Sequence, residues 1–232
     1  LTKSSFPYTL ELSRSKDIHS YLDGIYSSIV LKDIVARKKI ADAAMLENVI
    51  RFMFDNIGNP CSTTKIANTL KSSGHNISVH TVENYLKALC ESFVLYKADR
   101  YDIKGKQYLR SGAKYYVADI GLRYYLLGQK PADLGHILEN VVYLELLRRG
   151  YEVFVGKSDK SEIDFIAINE EDTEYYQVAL TVRDEKTLLR ELAPLESVND
   201  HNGKYLLTLD DDPPCSHNGI KQVNALDWLL KE

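Results

Sequence analysis

HILENVVYLELLRRGYEVFVGKSDKSEIDFIAINEEDTEYYQVALT, residues 136–181, is the stretch that decides the fold of the second half of the chain. Its first third predicts a helix whose otherwise apolar surface carries one carboxylate, Glu139. Alternating and β-branched residues then predict three short strands: Tyr151–Val155, Glu162–Ile168 and Glu174–Leu180. A helix followed by strands of this length predicts an α/β domain.

Polar side chains mark two of these strands. Asp164 lies in the second strand, and Gln177 lies in the third, where it points to the same face as Ala179 because side chains alternate along a strand. A divalent metal site needs hard oxygen ligands that converge from separate elements. The sequence therefore predicts a site for Mg²⁺ whose protein ligands are Glu139, Asp164, Gln177 and the carbonyl of Val178.

The same stretch resembles the PD-(D/E)xK nuclease superfamily, in its restriction-endonuclease-like and Holliday-junction-resolvase-like branch. That family's core is a helix with Glu, a strand, a strand with Asp, a strand with (Glu/Gln)-x-Lys, a helix and a strand. The resemblance implies a mixed α/β (α+β) fold with a central mixed sheet, and Glu139, Asp164 and Gln177 as catalytic residues. Ala179 stands where the family places its catalytic lysine, so the resemblance implies degenerate or absent cleavage. Nearby cations that could replace the lysine are Lys157, Lys160, Arg183 and Lys186.

A winged helix-turn-helix is predicted before the nuclease-like stretch. A helix over 41–57 ends at Gly58, Ser62 caps a second helix and Ser78 caps a third, Val79–Ser92. A strand from Phe93, a turn at Asp102–Lys106 and a returning strand from Lys114 to Asp119 complete the pattern.

The third helix is predicted to enter the major groove of DNA with its outward side chains, which are those of His80, Thr81, Asn84 and Lys87. Contacts to phosphates are predicted for the wing residues Lys104, Lys106, Arg110 and Lys114. Residues 32–116 carry fourteen Lys and Arg against eight Asp and Glu, whereas the whole chain has a net charge of −4. This basic middle favours DNA as a partner. A winged helix that binds protein, with its lysines solvated, is the alternative.

Composition limits the class of protein. The chain has 232 residues, of which 44% are hydrophobic, so it is long enough for one large or two small globular domains. No apolar run approaches the roughly 20 residues that a membrane-spanning helix needs, so we expect a cytoplasmic protein without a membrane partner. Three unevenly spaced cysteines predict reduced thiols rather than disulfides or a zinc site.

Four motifs together resemble the C-terminal half of a prokaryotic family of AAA-type ATPases of unknown function: Asp119-x-Gly-Leu-Arg, the stretch Leu138–Tyr151, Glu162-Ile-Asp-Phe and Tyr176-Gln-Val-Ala. The resemblance implies three parts, namely the tail of an upstream ATPase module at 1–40, a winged-helix domain at 41–118 and a nuclease-like domain at 119–232. No G-x-x-x-x-G-K-[ST] motif is present, so we expect no ATP site in this chain and ATP binding only in the upstream domain.

Three functions stay open on the sequence alone. The first is a DNA-binding, nuclease-fold region of an ATPase with little or no cleavage. The second is an active Mg²⁺-dependent DNA endonuclease or junction nuclease whose cation comes from elsewhere in the chain. The third is a protein-interaction or oligomerisation platform for the ATPase, which the acidic second half favours because it repels DNA. Glu139 and Asp164 can also be structural, provided that they have partners, since an unpaired buried carboxylate costs several kcal/mol.

Overall fold

The computed structural model describes residues 4–105, 107–129, 133–158 and 161–231 of the chain. The chain forms two compact units. The first contains residues 1–97 and 115–130, and the second contains residues 98–114 and 131–232. Helices and a mixed sheet are both present, which confirms the predicted mixed α/β class.

The first unit is helical. Its elements are a 3₁₀ turn at Pro7–Leu10, α1 at Ser15–Ile25, a π-helical stretch at Tyr26–Asp33, α2 at Ile34–Lys38, α3 at Ala43–Asp55, α4 at Thr63–Ser72, α5 at Val79–Glu91 and α6 at Ile120–Leu127. Side chains of Asp42, Ser62 and Ser78 each accept a hydrogen bond from a backbone N–H three residues later. These bonds fix where α3, α4 and α5 begin, and they confirm the predicted caps Ser62 and Ser78.

Helices α3, α4 and α5 bury one apolar face each. The buried side chains recur every three or four residues, as an amphipathic helix requires. They are Leu46, Val49, Ile50 and Met53 of α3, Ile66, Ala67 and Leu70 of α4, and Val82, Leu86 and Leu89 of α5. This packing leaves the opposite face of α5 to solvent.

The second unit contains most of a mixed sheet, and residues 95–97 and 115–117 of its first two strands belong to the first unit. Its elements are β1 at Leu95–Asp102, β2 at Gln107–Val117, α7 at Leu134–Arg148, β3 at Glu152–Ser158, β4 at Ser161–Ile168, β5 at Thr173–Val178, α8 at Glu185–Glu196, β6 at Gly203–Thr208, β7 at Cys215–His217, β8 at Ile220–Asn224 and α9 at Ala225–Leu230. Among the described residues the strand order is β2-β1-β3-β4-β5-β6-β8-β7. The pairs β3–β4, β4–β5 and β7–β8 are antiparallel, whereas β1–β3, β5–β6 and β6–β8 are parallel.

Helix α8 covers an apolar cluster on the sheet. Leu192 and Leu195 of α8 belong to the same buried cluster as Ile163 and Ile166 of β4, and Ala179 packs against it. Because residues 163 and 166 are an odd number apart, β4 departs from simple alternation between them.

Strands β1 and β2 differ from the predicted wing. The returning strand begins at Gln107 instead of at Lys114, so Lys114 lies inside β2. Residues 98–114 belong to the second unit, where Arg100 of β1 stands opposite Val155 of β3. The short strands β7 and β8 were not predicted. In the described part of the chain, no helix combines the length and apolar character needed to cross a bilayer.

Gly156 of β3 tests the packing between β3 and β4. A Cβ at this position would lie 3.0 Å from Cβ of Ile163 and 3.0 Å from Cγ1 of Ile166. We expect Gly156→Ala to lower the free energy of unfolding of the second unit by about 1–3 kcal/mol, because the crowded neighbours are buried. Denaturant titration followed by circular dichroism measures the change.

Gly135 of α7 provides the matched control, since a Cβ there meets nothing within 4 Å. Gly135→Ala is expected to be neutral or stabilising by up to about 1 kcal/mol. Equal effects of the two substitutions would contradict the packing described for Gly156.

Candidate functional site

Four charged side chains of the second unit meet at one point. The Nζ of Lys114, on β2, lies 2.9 Å from Oε1 of Glu139 on α7. The same Nζ lies 3.0 Å from Oε1 of Glu162 and 3.6 Å from Oδ1 of Asp164, both on β4. The side chains of Lys114 and Glu139 are only 5% and 10% exposed. Glu139 and Asp164, which the sequence predicted to act together, therefore meet around a buried ammonium group.

Strand β5 positions Asp164. The backbone N–H of Val178 donates to Oδ2 of Asp164 at 3.0 Å, and the backbone N–H of Asp164 donates to Oε1 of Gln177 at 3.3 Å. The Nε2 of Gln177 in turn donates to Oε2 of Glu191 on α8 at 2.9 Å. The two further ligands predicted from the sequence, Gln177 and Val178, thus lie beside Asp164, and their recorded hydrogen bonds hold that residue in place.

Two more basic side chains, those of Arg100 and His136, lie beside the carboxylates of the cluster. Nη2 of Arg100 lies 3.6 Å from Oε2 of Glu162. Nδ1 of His136 lies 3.7 Å from Oε2 of Glu139, one turn away on α7. Arg100 and His136 thus lie beside the second oxygens of Glu162 and Glu139, whose first oxygens contact Lys114. Sequence analysis predicted neither partner: Arg100 is 62 residues from Glu162, whereas His136 is three residues from Glu139 and could have been found from its helical spacing.

Burial and charge change the pKa values at this point. Burial and the neighbouring carboxylate of Glu139 raise the pKa of Asp164 from 3.8 to about 7, although Lys114 and the Val178 N–H oppose that rise. Burial alone would lower the pKa of Lys114, but Glu139, Asp164 and Glu162 together raise it above its ordinary value. Lys114 is therefore an ammonium at neutral pH, and Asp164 titrates near neutrality.

Lys114 is the main departure from the sequence prediction. As a wing residue it would be exposed to contact phosphates, but its residue exposure is 4% and its charge faces three carboxylates. Lys114 thus lies beside Glu139 and Asp164, whereas the sequence analysis considered Lys157, Lys160, Arg183 and Lys186 for that position. Of the suggested replacements, Arg183 instead pairs with Asp210 and Asp212, and Lys160 lies outside the described residues.

One sequence signal could have identified Lys114. It is the single charged residue in the run Ala113-Lys-Tyr-Tyr-Val117, whose other members are all buried. A lysine within an apolar strand is almost never fully buried unless it is paired. The run therefore predicts a buried acidic partner, but it does not identify that partner.

The outward face of α5 in the first unit carries the residues predicted to read DNA. The side chain of His80 is 81% exposed and that of Lys87 is 76% exposed. Asn84 is exposed as well, and its Nδ2 lies 3.2 Å from Nε2 of His80. Thr81 is half-buried, with its Oγ1 2.8 Å from Oγ of Ser78. Three of the four predicted side chains thus face solvent on one helix.

The remaining predicted phosphate contacts belong to the segment 98–114. Lys104 is exposed, in the turn between β1 and β2. Lys106 and the side chain of Arg110 lie outside the described residues. Since the segment is part of the second unit, these residues are not a part of the compact unit that contains α5.

The donor set determines which cation the cluster suits. Within the described ranges, no group of three or more His, Cys, Asp or Glu side chains has the geometry of a metal site. Two carboxylates, from Glu139 and Asp164, nevertheless converge on one cation, the Lys114 ammonium. Mg²⁺ is commonly bound through one or two carboxylates and several waters. Glu139 and Asp164 supply oxygen donors of the kind that Mg²⁺ takes, but the Lys114 ammonium occupies the point on which they converge.

Comparison with known proteins identifies a family. The chain belongs to the family of the domain of unknown function DUF8612, whose profile matches residues 1–133. It is 42% identical over 210 residues to an uncharacterised protein of Haemophilus influenzae, covering 90% of the chain and 52% of that protein. It is 31% identical over 157 residues to an uncharacterised protein of Methanocaldococcus jannaschii, covering 66% of the chain and 34% of that protein.

The chain thus spans about half the length of the Haemophilus protein and about a third of the Methanocaldococcus protein. Both relatives are prokaryotic. No solved structure matches the chain.

Removal of the Lys114 charge should destabilise the second unit. We expect Lys114→Met to lower its free energy of unfolding by about 3–5 kcal/mol, because the substitution leaves buried carboxylates without their cation. Lys104→Met, at an exposed lysine of the same hairpin, should change it by less than about 0.5 kcal/mol. Urea titration measures both variants, and similar values for the two would show that Lys114 is not buried.

Asp164 should make stability depend on pH. Its folded pKa lies above its unfolded pKa, so its contribution is fully present below pH 4 and is lost as pH rises through about 7. We expect Asp164→Asn to abolish that loss, so that the variant gains on the order of 2 kcal/mol relative to wild type between pH 5 and pH 8.

Thermal and urea unfolding at the two pH values, with EDTA present, measure this gain. Asp211→Asn removes an exposed carboxylate and serves as the control. A pH profile of Asp164→Asn parallel to that of wild type would contradict the raised pKa.

Proposed function

We propose that the chain is a DNA-binding module of nuclease fold whose Lys114 cluster hydrolyses phosphodiester bonds with the help of a divalent metal ion. One observation carries the proposal. A lysine ammonium lies within 3.6 Å of both Glu139 and Asp164, although the expected lysine position is Ala179. The lysine missing from the strand motif is therefore supplied by β2.

The order of elements supports this assignment. Helix α7 carries Glu139, β3 follows, β4 carries Asp164, β5 carries Gln177, and α8 and β6 complete the series. This is the order of the PD-(D/E)xK core that the sequence resembles. The side chain of Gln177 bonds to α8 and Ala179 packs in the cluster under α8, so a lysine at position 179 would extend toward α8. A lysine from β2 reaches the two acids from a different strand.

Each residue of the cluster has a distinct task in the proposed reaction. Glu139 and Asp164 would hold the metal ion, which supplies Lewis acidity and an activated water when bound. Lys114 donates hydrogen bonds to a phosphate oxygen and stabilises the negative charge that develops during the reaction. Because its pKa is raised, Lys114 keeps that charge through the neutral range. Gln177 and the Val178 N–H keep Asp164 in position.

DNA is the proposed substrate because of the first unit. Helices α3, α4 and α5 have the length and capping expected of the helix-turn-helix part of a winged helix. The exposed side chains of His80, Asn84 and Lys87 on α5 have the hydrogen-bonding groups that contact bases and phosphates in the major groove. In this proposal α5 binds DNA and the Lys114 cluster cleaves it.

The same ammonium also supports a second candidate, a catalytically silent DNA-binding module. Lys114 already neutralises the carboxylates that would hold a metal ion, at distances typical of charge-assisted hydrogen bonds. A lysine that remains in this place would exclude a divalent cation by charge repulsion. Both candidates bind DNA through α5. They differ only in whether the Lys114 ammonium moves away from the carboxylates so that a metal ion can bind them.

The upstream part of the full protein remains a proposal. The motifs quoted above resemble the C-terminal half of AAA-type ATPases, and the chain spans 52% of its Haemophilus relative. We propose that an ATPase domain in the full-length protein is the physical partner of this module, and that both act in the cytoplasm.

Cleavage assays test the proposal. We expect wild type to cut plasmid and branched DNA in Mg²⁺ or Mn²⁺, and to lose activity in EDTA. Asp164→Asn should reduce the rate at least 100-fold without loss of DNA affinity, because it removes a metal-binding charge and leaves the binding helix intact. Lys114→Met should reduce the rate similarly.

Asp211→Asn serves as the matched control with full activity. Equal products from wild type and Asp164→Asn would exclude the cluster as the catalytic site. Absence of products from a wild-type protein that binds DNA would support the silent candidate.

A further inference from the structure

The end of α2 and the outer face of α5 form a groove of about 340 Å³ within the first unit. Three of the residues that line it are lysines, and one is an acid. The side chains on which the inference rests are Lys38, Lys39, Asn84, Lys87 and Glu91. The charged side chains that line this small groove therefore carry a net charge of +2.

Glu91 connects two of the three lysines. Nζ of Lys38 hydrogen-bonds Oε2 of Glu91, and Nζ of Lys87 lies 3.8 Å from its Oε1. The hydrogen bond from Lys38 lowers the pKa of Glu91, so this carboxylate is charged at neutral pH. Two ammonium groups from different helices thus converge on one anionic group that belongs to the protein itself.

We propose that this groove binds the phosphate backbone of duplex DNA, and that the Glu91 carboxylate takes the place of a phosphate in the free protein. The inference rests on the DNA-binding part of the proposed function, and it adds Lys38 and Lys39 of the α2 end to Asn84 and Lys87, which the sequence already predicted to contact DNA. An entering phosphate displaces Glu91 from Lys38 and Lys87, and Lys39 provides a third contact.

The position of the groove on α5 fits this role. Asn84, Lys87 and Glu91 follow His80 at helical spacings of four, seven and eleven residues, so all four lie along one face. His80 lies at the start of that face, outside the groove, whereas Asn84 and Lys87 belong both to the proposed DNA-reading face and to the groove. Phosphate contacts next to a base-reading helix fix its register in the major groove.

Lys38 and Lys39 lie where α2 ends. Lys39 ends α2 in the left-handed conformation, with φ of 51°, and its N–H bonds back to carbonyls of Val35 and Ala36. Lys38 and Lys39 follow Arg37 in this last turn, where the helix macrodipole favours cations. Phosphate contacts from this turn belong to the same compact unit as α5, unlike those from Lys104.

DNA titration over a range of salt concentrations tests the groove. Fluorescence anisotropy of labelled duplex DNA is measured with the intact chain and with the variant Lys38→Gln/Lys39→Gln/Lys87→Gln. We expect the variant to bind at least tenfold more weakly, and its slope of log K against log salt to fall by about 2–3, since each lost phosphate contact removes about 0.9.

The control is the triple substitution Lys16→Gln/Lys71→Gln/Lys186→Gln, which removes the same charge from exposed positions outside the groove. It should have a much smaller effect on both quantities. Glu91→Gln provides a test of opposite sign. We expect it to tighten binding several-fold, because the intramolecular competitor for Lys38 and Lys87 loses its charge.

The outcomes separate the two proposals. Equal weakening by both triple substitutions, or a Glu91→Gln variant that binds no tighter than wild type, would overturn the groove while leaving DNA binding intact. A wild-type chain without salt-dependent affinity for DNA would overturn DNA binding itself. Circular dichroism of each variant establishes that it is folded.

Discussion

A single buried ammonium group brings three carboxylates of the second unit together. Lys114 contacts Glu139 on α7 and both Glu162 and Asp164 on β4. Like charges at this separation repel strongly in a medium of low polarity. Without the lysine, these acids would have to take up protons or move apart. The arrangement of α7 and β4 around β2 therefore depends on this one charge.

Burying an ion-pair cluster costs free energy, and this cost bears on what the cluster is for. A buried ion pair rarely stabilises a fold more than well-packed apolar side chains of the same volume would. Asp164 illustrates the cost, because its pKa of about 7 shows that the folded environment disfavours its charged form. Polar residues held in an unfavourable state by their surroundings are typical of functional sites. The cluster is thus a better candidate for chemistry than for stabilisation.

Two surfaces with opposite charge character belong to the two compact units. The first unit presents exposed lysines and hydrogen-bonding side chains along α5 and the end of α2. The second unit gathers Glu139, Glu162 and Asp164 around Lys114, and of these three acids Glu139 is buried. The contrast agrees with the uneven charge of the sequence, in which the basic residues are concentrated in the middle of the chain and the acidic residues in the second half.

The local pattern of the sequence was sufficient for most elements. Helical periodicity and the caps Ser62 and Ser78 located α4 and α5, and the strand patterns located β4 with Asp164 and β5 with Gln177. The pairing of Glu139 with Asp164 also followed from sequence, through a known order of elements. The helices, caps and strands depend on residues within a few positions of one another, whereas the pairing of the two acids came from the resemblance to a known order of elements.

The sequence by itself determined most of the helices and the strands β3 to β6, and its resemblance to a known order of elements paired Glu139 with Asp164. The tertiary structure alone decided which cation joins them, because Lys114 is 25 residues from Glu139 and reaches it only when β2 lies in the same sheet as β4. It also decided that residues 98–114 belong to the sheet unit and not to the helical one. Strand pairing between distant segments is set by the packing of the whole sheet, which no local pattern of residues encodes.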